Sequence, residues 1–225
     1  MNLAEILMKE IEVFWADVKG RHPLFKTILE NKTDPSTIAL FIANIEYLVV
    51  HTPIHLRKAK KVAENREQKD LAAYLQIKID EEEGHDVWAK DDLKRLRQKG
   101  ASDVSRYALP TMEKLIQKLD EMIERDPYEY LAYILYAEYF TVISADECFS
   151  SLTSKSDIHP DDVTVISKHA ELDKEHVSEF KDTFVTLPAK DLPGAEQYRE
   201  VLQSVFHSIE NFWSEVHEYQ NRSVA

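Results

Sequence analysis

The stretch HAELDKEH, residues 169–176, carries three side chains that can bind metal ions. His169, Asp173 and His176 stand at positions i, i+4 and i+7, so in an α-helix they lie within about 60° of one another. The apolar residues around this stretch fall on the same face. A helix face directed at the protein core therefore carries two imidazoles and a carboxylate, which is the chemistry of a metal site.

Three further segments place acids or a histidine inside an apolar stripe. Glu46 and Glu138 each interrupt such a stripe, and Glu82 and His85 form an E-x-x-H pair. Four predicted helices thus direct polar groups at the core. The predicted metal ligands, in chain order, are Glu46, Glu82, His85, Glu138, His169, Asp173 and His176.

The charge of this set indicates what must balance it. A buried carboxylate is costly unless it is paired or bound to a metal. No Lys or Arg stands obviously beside the four acids; Lys78 could reach the stripe, but its neighbours place it at the edge. Two metal ions would neutralise the acids, and a mixture of carboxylates and imidazoles suits iron or manganese better than zinc. The order Glu, E-x-x-H, Glu, D-x-x-H is that of di-metal carboxylate bundles.

The elements that must position these residues are all helical. Only 4 glycines occur in 225 residues, which favours long helices over folds rich in tight turns. Linkers are short and the composition does not shift, so we predict a single all-α domain over residues 1–225. We expect seven helices: near 2–19, from TDPS to about 64, 67–99, from ASDVS to about 125, from RDPYEY to about 152, 160–187 and 195–221.

Charge and composition exclude several partners. The net charge of −13 disfavours nucleic acid and anionic membrane surfaces, because nothing offsets repulsion from phosphates. No apolar run approaches the roughly 18 residues of a membrane span, and the N-terminus lacks the apolar region of a signal peptide. We expect a cytoplasmic protein with a small-molecule substrate. The sequence also allows an external electron donor and a homodimer.

Each predicted ligand also has a structural interpretation. A single Glu such as Glu46 is more often a surface residue at the edge of a stripe, and Glu82 lies in the acidic run DEEEGH, which is typical of a solvated face. Neighbouring tyrosines could satisfy Glu138 by hydrogen bonds. The lone cysteine, Cys148, is a candidate nucleophile, although a packed small residue is the simpler interpretation.

The segments DEEEGHDVWAKDDL and HAELDKEH resemble those of the haem-oxygenase-like di-metal oxidases and oxygenases, which are seven-helix proteins of about this length. The resemblance covers most of the chain and is most specific in the trio of residues 169, 173 and 176. It implies two Fe(II) per chain, with manganese as an alternative, and O₂ as co-substrate. The family's ligands then fall on Glu46, Glu82, His85, Glu138, His169, Asp173 and His176.

The resemblance implies oxidation of a small organic substrate, by N-oxygenation of an amine or by oxidative C–C cleavage of an amino acid or a fatty acid. A ferritin-like four-helix bundle is the alternative fold, but it would leave His169 unused. Two other functions stay open. One is a non-catalytic helical bundle that binds or stores metal. The other is a metal-independent, thiaminase-like hydrolase that uses Cys148.

Overall fold

The computed structural model describes residues 2–30, 32–104, 108–153, 158–188 and 192–223. These residues contain nine α-helices, one 3₁₀ helix at Pro160–Asp162 and no β-strand. The predicted all-α class is therefore confirmed. In chain order the helices are α1 (Leu3–Arg21), α2 (Pro23–Leu29), α3 (Pro35–Asn65), α4 (Lys69–Glu82), α5 (Asp86–Gln98), α6 (Pro110–Arg125), α7 (Pro127–Thr153), α8 (Thr164–Thr186) and α9 (Ala195–Ser223).

The helix count differs from the predicted seven at two places. The predicted helix over 67–99 is interrupted after Glu82, and α5 begins at Asp86. Gly84 has a φ of 90°, a left-handed conformation that α-helices do not contain. The short helix α2 was also not predicted. The expected beginning of the fourth helix, near 105–107, lies outside the described residues, and α6 begins at Pro110.

The beginnings of α1 and α3 follow from local sequence. Asn2 and Glu5 form a capping box, in which each side chain accepts a hydrogen bond from the other residue's backbone N–H. Asp34 accepts hydrogen bonds from the N–H groups of Ser36 at 2.8 Å and Thr37 at 3.0 Å. The predicted beginning of the second long helix at TDPS is thus confirmed, with a capping acid followed by proline.

The apolar core has two parts. The larger part joins α1, α4, α6, α7 and α9, and its aromatic residues include Phe14, which stacks on Phe206 with ring centroids 4.0 Å apart. The smaller part lies between the first half of α3, α5 and the beginning of α8. Helix α8 packs against both α5 and α7. Its polar face therefore lies where the two parts of the core meet.

Helix α3 is long and apolar enough, by length and composition alone, to cross a membrane. In this fold it packs against α4, α5 and α6. Its second half carries Arg57 and Lys58, which form ion pairs with Glu83 and Asp120. These contacts are those of a core helix and are consistent with a soluble protein.

Candidate metal centre

The three residues of HAELDKEH lie on one face of α8, as predicted. Asp173 and His176 are buried, and His169 is partly buried with 15% of its side chain exposed. Side chains point toward this face from the end of α4, the beginning of α5 and the middle of α7. The face thus belongs to a polar cluster inside the bundle.

The N-terminus of α8 is held by a residue of α5. Asp92 is fully buried, and its carboxylate accepts hydrogen bonds from the Val165 N–H at 2.7 Å and from the Thr164 hydroxyl at 2.6 Å. Arg95 forms an ion pair with the same carboxylate. Because α5 begins directly after His85, this cap fixes the distance between His85 and the histidines of α8. Asp92 was not among the residues predicted from the sequence.

Glu82, His85 and His169 form the first group of converging ligand atoms. His85 Nδ1 lies 3.2 Å from His169 Nε2 and 3.3 Å from Glu82 Oε2, and the latter two atoms are 3.8 Å apart. The ring of His169 is oriented by a hydrogen bond from Nδ1 to the Val165 carbonyl oxygen. The E-x-x-H pair therefore does come together, but across the break between α4 and α5 and not on one helix face.

Glu82, Glu138 and His176 form the second group, with ligand atoms all within 4.8 Å of one another. Glu82 thus belongs to both groups. His176 Nδ1 lies 3.2 Å from Asp173 Oδ1, so its Nε2 is free to face the cluster. Glu138 is buried, and its Oε2 has no hydrogen-bond partner.

Lys78 lies inside this cluster, which corrects the sequence-based placement at the edge of its helix. Only 1% of the residue is exposed. Its Nζ lies 2.9 Å from Glu138 Oε1 and 2.8 Å from Glu81 Oε2. Burial opposes its charge, but the two carboxylates outweigh burial and raise the pKa of Lys78. The available signal was its spacing, because Leu71, Leu75, Lys78 and Glu82 follow one another at helical intervals.

Two predicted ligands take other positions. Glu46 is half-buried on α3 and does not belong to either group of converging atoms found among the described residues. Burial raises the pKa of Glu46, and the positive charge of Lys90 opposes this shift. The charged residues that affect this pKa lie on α5. Asp173 supports His176 and is likewise in neither group. The five residues that do converge are Glu82, His85, Glu138, His169 and His176.

Burial and contact shift the pKa values in the cluster in different directions. Burial raises the pKa of Glu138 to about 7, although Lys78 opposes the shift. Burial disfavours charge on His169, but its hydrogen bond to Glu82 outweighs burial and raises the pKa of His169 to about 9. The same contacts, from His169 and then His85, overcome burial and hold the pKa of Glu82 well below its usual range. The charge of Glu82 is therefore compensated within the first group.

A cavity of about 260 Å³ opens on the cluster. Its walls are mainly aliphatic and aromatic side chains of α2, α3, α7 and α9. The lysine, carboxylate and histidine side chains in its lining all belong to the cluster; they are Lys78, Glu82, Glu138, His169 and Asp173. The cavity is therefore apolar with one charged end, an arrangement typical of small-molecule sites.

Cys148 also lines this cavity and is partly buried as a free thiol. Burial raises the pKa of its thiol to about 12. The thiolate is the nucleophilic form of cysteine, so the environment of Cys148 disfavours nucleophilic catalysis at neutral pH. The sequence did not predict that Cys148 lines a cavity.

The geometry of the first group fits a transition-metal ion. Ligand atoms that each lie about 2.1 Å from one ion are separated by roughly 3–3.5 Å in tetrahedral or octahedral arrangements. The three separations here, 3.2, 3.3 and 3.8 Å, approach that range. Two imidazoles and one carboxylate also form a ligand set that iron and manganese accept.

Comparison with known proteins gives similarity at the level of structure. No protein-family model and no curated protein matches the sequence. A domain of unknown function from Shewanella denitrificans OS217, described as having a heme oxygenase-like fold, superposes with a TM-score of 0.82 at 18% identity. The match covers 98% of this chain and 94% of that chain.

Two crystal structures of a CADD-like protein of unknown function from Nostoc punctiforme PCC 73102 are also similar. Their TM-scores are 0.64 and 0.63 at 14% and 12% identity. The matches cover 95% and 97% of this chain, and 98% and 97% of the other. At such identities the likeness establishes architecture alone, and it favours the predicted architecture over a ferritin-like four-helix bundle. The chain therefore has a haem-oxygenase-like fold.

Proposed function

We propose that the protein is a non-haem, iron-dependent oxidase or oxygenase that uses O₂ to oxidise a small organic substrate. The observation that carries the proposal is the first group of ligand atoms, Glu82, His85 and His169, of which Glu82 and His169 line the apolar cavity. Iron held there would supply the ability to bind and activate O₂. An amine, an amino acid and a fatty acid are the candidate substrates.

The chain's own residues have distinct roles in this proposal. Glu82, His85 and His169 hold the metal ion, and the Val165 carbonyl oxygen orients the ring of His169. The apolar walls of the cavity exclude water from the substrate. Glu138 has a raised pKa near 7 and an oxygen without a hydrogen-bond partner. Its Oε2 is thus placed to hold or accept a proton at the end of the cavity.

The cavity narrows the choice of substrate. A volume of about 260 Å³ lies near the lower end of ligand-site volumes, which start at about 300 Å³. Its walls favour a molecule with an apolar chain and one polar end. Such a molecule would bind with its polar end at the cluster. We further propose a cytoplasmic location, an external electron donor and a homodimeric state as properties to be measured with the activity.

Anaerobic titration with Fe(II) tests the metal site. We expect the wild type to bind iron and the His169→Ala variant to lose more than about 100-fold in affinity, because even partners outside the ligand shell contribute about 10–100-fold. His207→Ala, which removes an exposed histidine on α9, is the matched control and keeps wild-type affinity. A wild-type protein that binds no iron would refute the proposal.

Oxygen consumption then separates the alternatives. The proposed enzyme, loaded with Fe(II), consumes O₂ over many turnovers when a candidate amine, amino acid or fatty acid is present. Consumption that stops in proportion to the bound iron, whatever compound is added, indicates metal storage instead. Hydrolysis of an added compound by metal-free protein, without O₂ consumption and abolished in Cys148→Ser, indicates the metal-independent hydrolase.

A further inference from the structure

Lys78 is the one lysine that lines the cavity within the part of the chain that the structure describes. It lies on α4, one turn before Glu82, and is 1% exposed. Its aliphatic stem and ammonium pack near the ring of Tyr74, whose centroid is 5.8 Å from Nζ. With no access to water, the ammonium depends on Glu81 and Glu138 for compensation of its charge.

The second group of ligand atoms includes one of these two carboxylates, Glu138. Apart from Glu82, which both groups share, a second ion would be held by Glu138 and His176. Glu138 Oε1 already forms an ion pair with the Lys78 ammonium at 2.9 Å. His176 Nε2 lies 3.8 Å from Glu81 Oε2, the oxygen that is 2.8 Å from Lys78. One ligand of the second group, Glu138, is therefore already paired with an ammonium, and the carboxylate nearest to His176 Nε2 is paired with the same ammonium.

A divalent ion in the second group would be placed beside this ammonium. The repulsion of two cations is strongest in a buried, weakly polarisable environment, and Lys78 is too deeply buried to carry its charge out to solvent. In the first group, by contrast, the contacts of Glu82 are to His85 and His169. Each imidazole can offer a ring nitrogen to a metal ion. The partners of Glu82 in the first group can thus become metal ligands, whereas the ammonium that pairs with Glu138 in the second group cannot.

We propose that the Lys78 ammonium takes the place of a second metal ion, so that the chain binds one metal ion at Glu82, His85 and His169. This replaces the two ions per chain that the sequence pattern predicted. The ion pair of Lys78 with Glu138 bridges α4 and α7, as a second ion would. The inference rests on the proposed metal site, and it concerns how many ions that site contains.

Equilibrium dialysis against Mn(II), which is stable in air, measures the stoichiometry directly. We expect one Mn(II) per wild-type chain and two per chain in Lys78→Glu, where a carboxylate replaces the ammonium among the second group. Lys69→Glu, which makes the same change at an exposed position of α4, is the matched control and binds one. Electron paramagnetic resonance of the wild type should give the six-line spectrum of isolated Mn(II), without the additional splitting of a coupled pair.

The outcomes separate this inference from the function on which it rests. Two Mn(II) per wild-type chain, or a coupled-pair spectrum, overturns the inference and leaves the proposed function intact. A folded Lys78→Glu that still binds one ion overturns the role of Lys78. No binding to the wild type overturns the metal site itself. If Lys78→Glu does not fold, His176→Ala replaces it: we expect unchanged Mn(II) binding, and loss of the ion contradicts the inference.

Discussion

At the scale of single residues, His169 and His176 are oriented through the ring nitrogen that does not face the cluster. Nδ1 of His169 contacts the Val165 carbonyl oxygen, and Nδ1 of His176 lies 3.2 Å from Asp173. Each contact determines which nitrogen is presented to the cluster and holds the plane of the ring. Asp173 helps to orient His176, and its role as a metal ligand stays a prediction.

His55, a buried histidine on α3 and distant in sequence from the cluster, makes stability depend on pH. Burial lowers the pKa of His55 to about 4, although Asp120, 3.8 Å from Nε2, favours the charged form. Between pH 6.5 and 4 the unfolded chain therefore binds a proton that the folded chain does not. The contribution of His55 to the free energy of unfolding is fully present above pH 6.5. We expect this contribution to fall by about 3 kcal/mol as the pH decreases to 4.

Urea denaturation between pH 7 and 4 measures this dependence. We expect His55→Gln to flatten the decline by about 1.4 kcal/mol per pH unit over that window, which corresponds to one proton. The control is His207→Gln, which changes an exposed histidine and should retain the wild-type slope. Equal slopes in the wild type and in His55→Gln would contradict the assignment.

At the scale of elements, the cluster depends on how α5 is placed between α4 and α8. The break at Gly84 redirects the chain after Glu82, and Asp92 on α5 then caps α8. One continuous helix over 67–99 would carry His85 along the axis of α4, without a cap on α8. The two features therefore act together to bring Glu82, His85 and His169 into contact.

Gly84→Ala tests the break, because an added Cβ meets no atom within 4 Å and only the backbone conformation is affected. A φ of 90° is strained for alanine, so we expect a loss of about 1–2 kcal/mol in the free energy of unfolding. Gly20→Ala, in α1 and equally free of contacts, should instead stabilise the protein by about 0.4–1 kcal/mol. Urea midpoints that shift in the same direction for both variants would contradict this explanation.

Asp92→Asn tests the tertiary cap of α8. Asparagine offers one acceptor where the carboxylate offers two, so either the Val165 N–H or the Thr164 hydroxyl loses its buried partner. We expect a loss of about 1–3 kcal/mol in the free energy of unfolding, together with about tenfold weaker Mn(II) binding. Urea denaturation measures the free energy of unfolding, and calorimetry measures the binding of Mn(II).

The adjacent Asp91 provides the control for that experiment. Its side chain is 46% exposed and pairs with Lys94 on the surface. Asp91→Asn should change the free energy of unfolding by no more than about 0.5 kcal/mol and should leave Mn(II) binding unchanged. If Asp92→Asn behaves in the same way, the cap does not position α8.

At the scale of the whole molecule, the apolar cavity and the charged cluster form one continuous site. Helices from both parts of the core contribute to its walls, including α3 and α9, which carry none of the five converging ligand residues. The cluster is largely buried, with 1% of Lys78 and 15% of the His169 side chain exposed, and this burial strengthens the electrostatic interactions inside it. The fold thus couples the binding of an apolar molecule to the environment of the cluster.

Ala145→Phe tests the role of the cavity. Ala145 lines it on α7, two turns beyond Glu138, so a phenyl group there fills the apolar part and not the cluster. We expect octanoate and octylamine to bind about 10- to 50-fold more weakly. The phenyl group displaces two or three CH₂ groups of each compound from the cavity, and burial of each CH₂ group contributes about 0.8 kcal/mol. Calorimetry measures both affinities.

Two controls accompany this variant. Mn(II) affinity should be unchanged in Ala145→Phe, which shows that the cluster is intact. Ala73→Phe, at an exposed position on α4, adds the same group outside the cavity and should bind both compounds as the wild type does. Unchanged binding in Ala145→Phe would mean that apolar chains do not occupy the cavity.

The sequence by itself determined the helical class and the polar residues directed at the core. Helical periodicity depends on residues within one or two turns, so the positions of His169, Asp173 and His176 on one face could be derived locally. The same applies to the cap at Asp34, where an acid precedes a proline. The break at Gly84 was missed because a glycine beside a continuing stripe is compatible with either outcome.

Only the tertiary structure decided which of these polar residues meet. Glu46 and Lys78 both lie on apolar stripes, yet Glu46 is directed toward α5 while Lys78 enters the cluster. Asp92 pairs locally with Arg95, but the helix that it caps begins more than 70 residues away in sequence. Periodicity gives the direction of a side chain around its own helix axis, whereas the neighbour that it meets depends on how whole helices pack. The charge balance of a buried cluster therefore follows from the packing of distant segments.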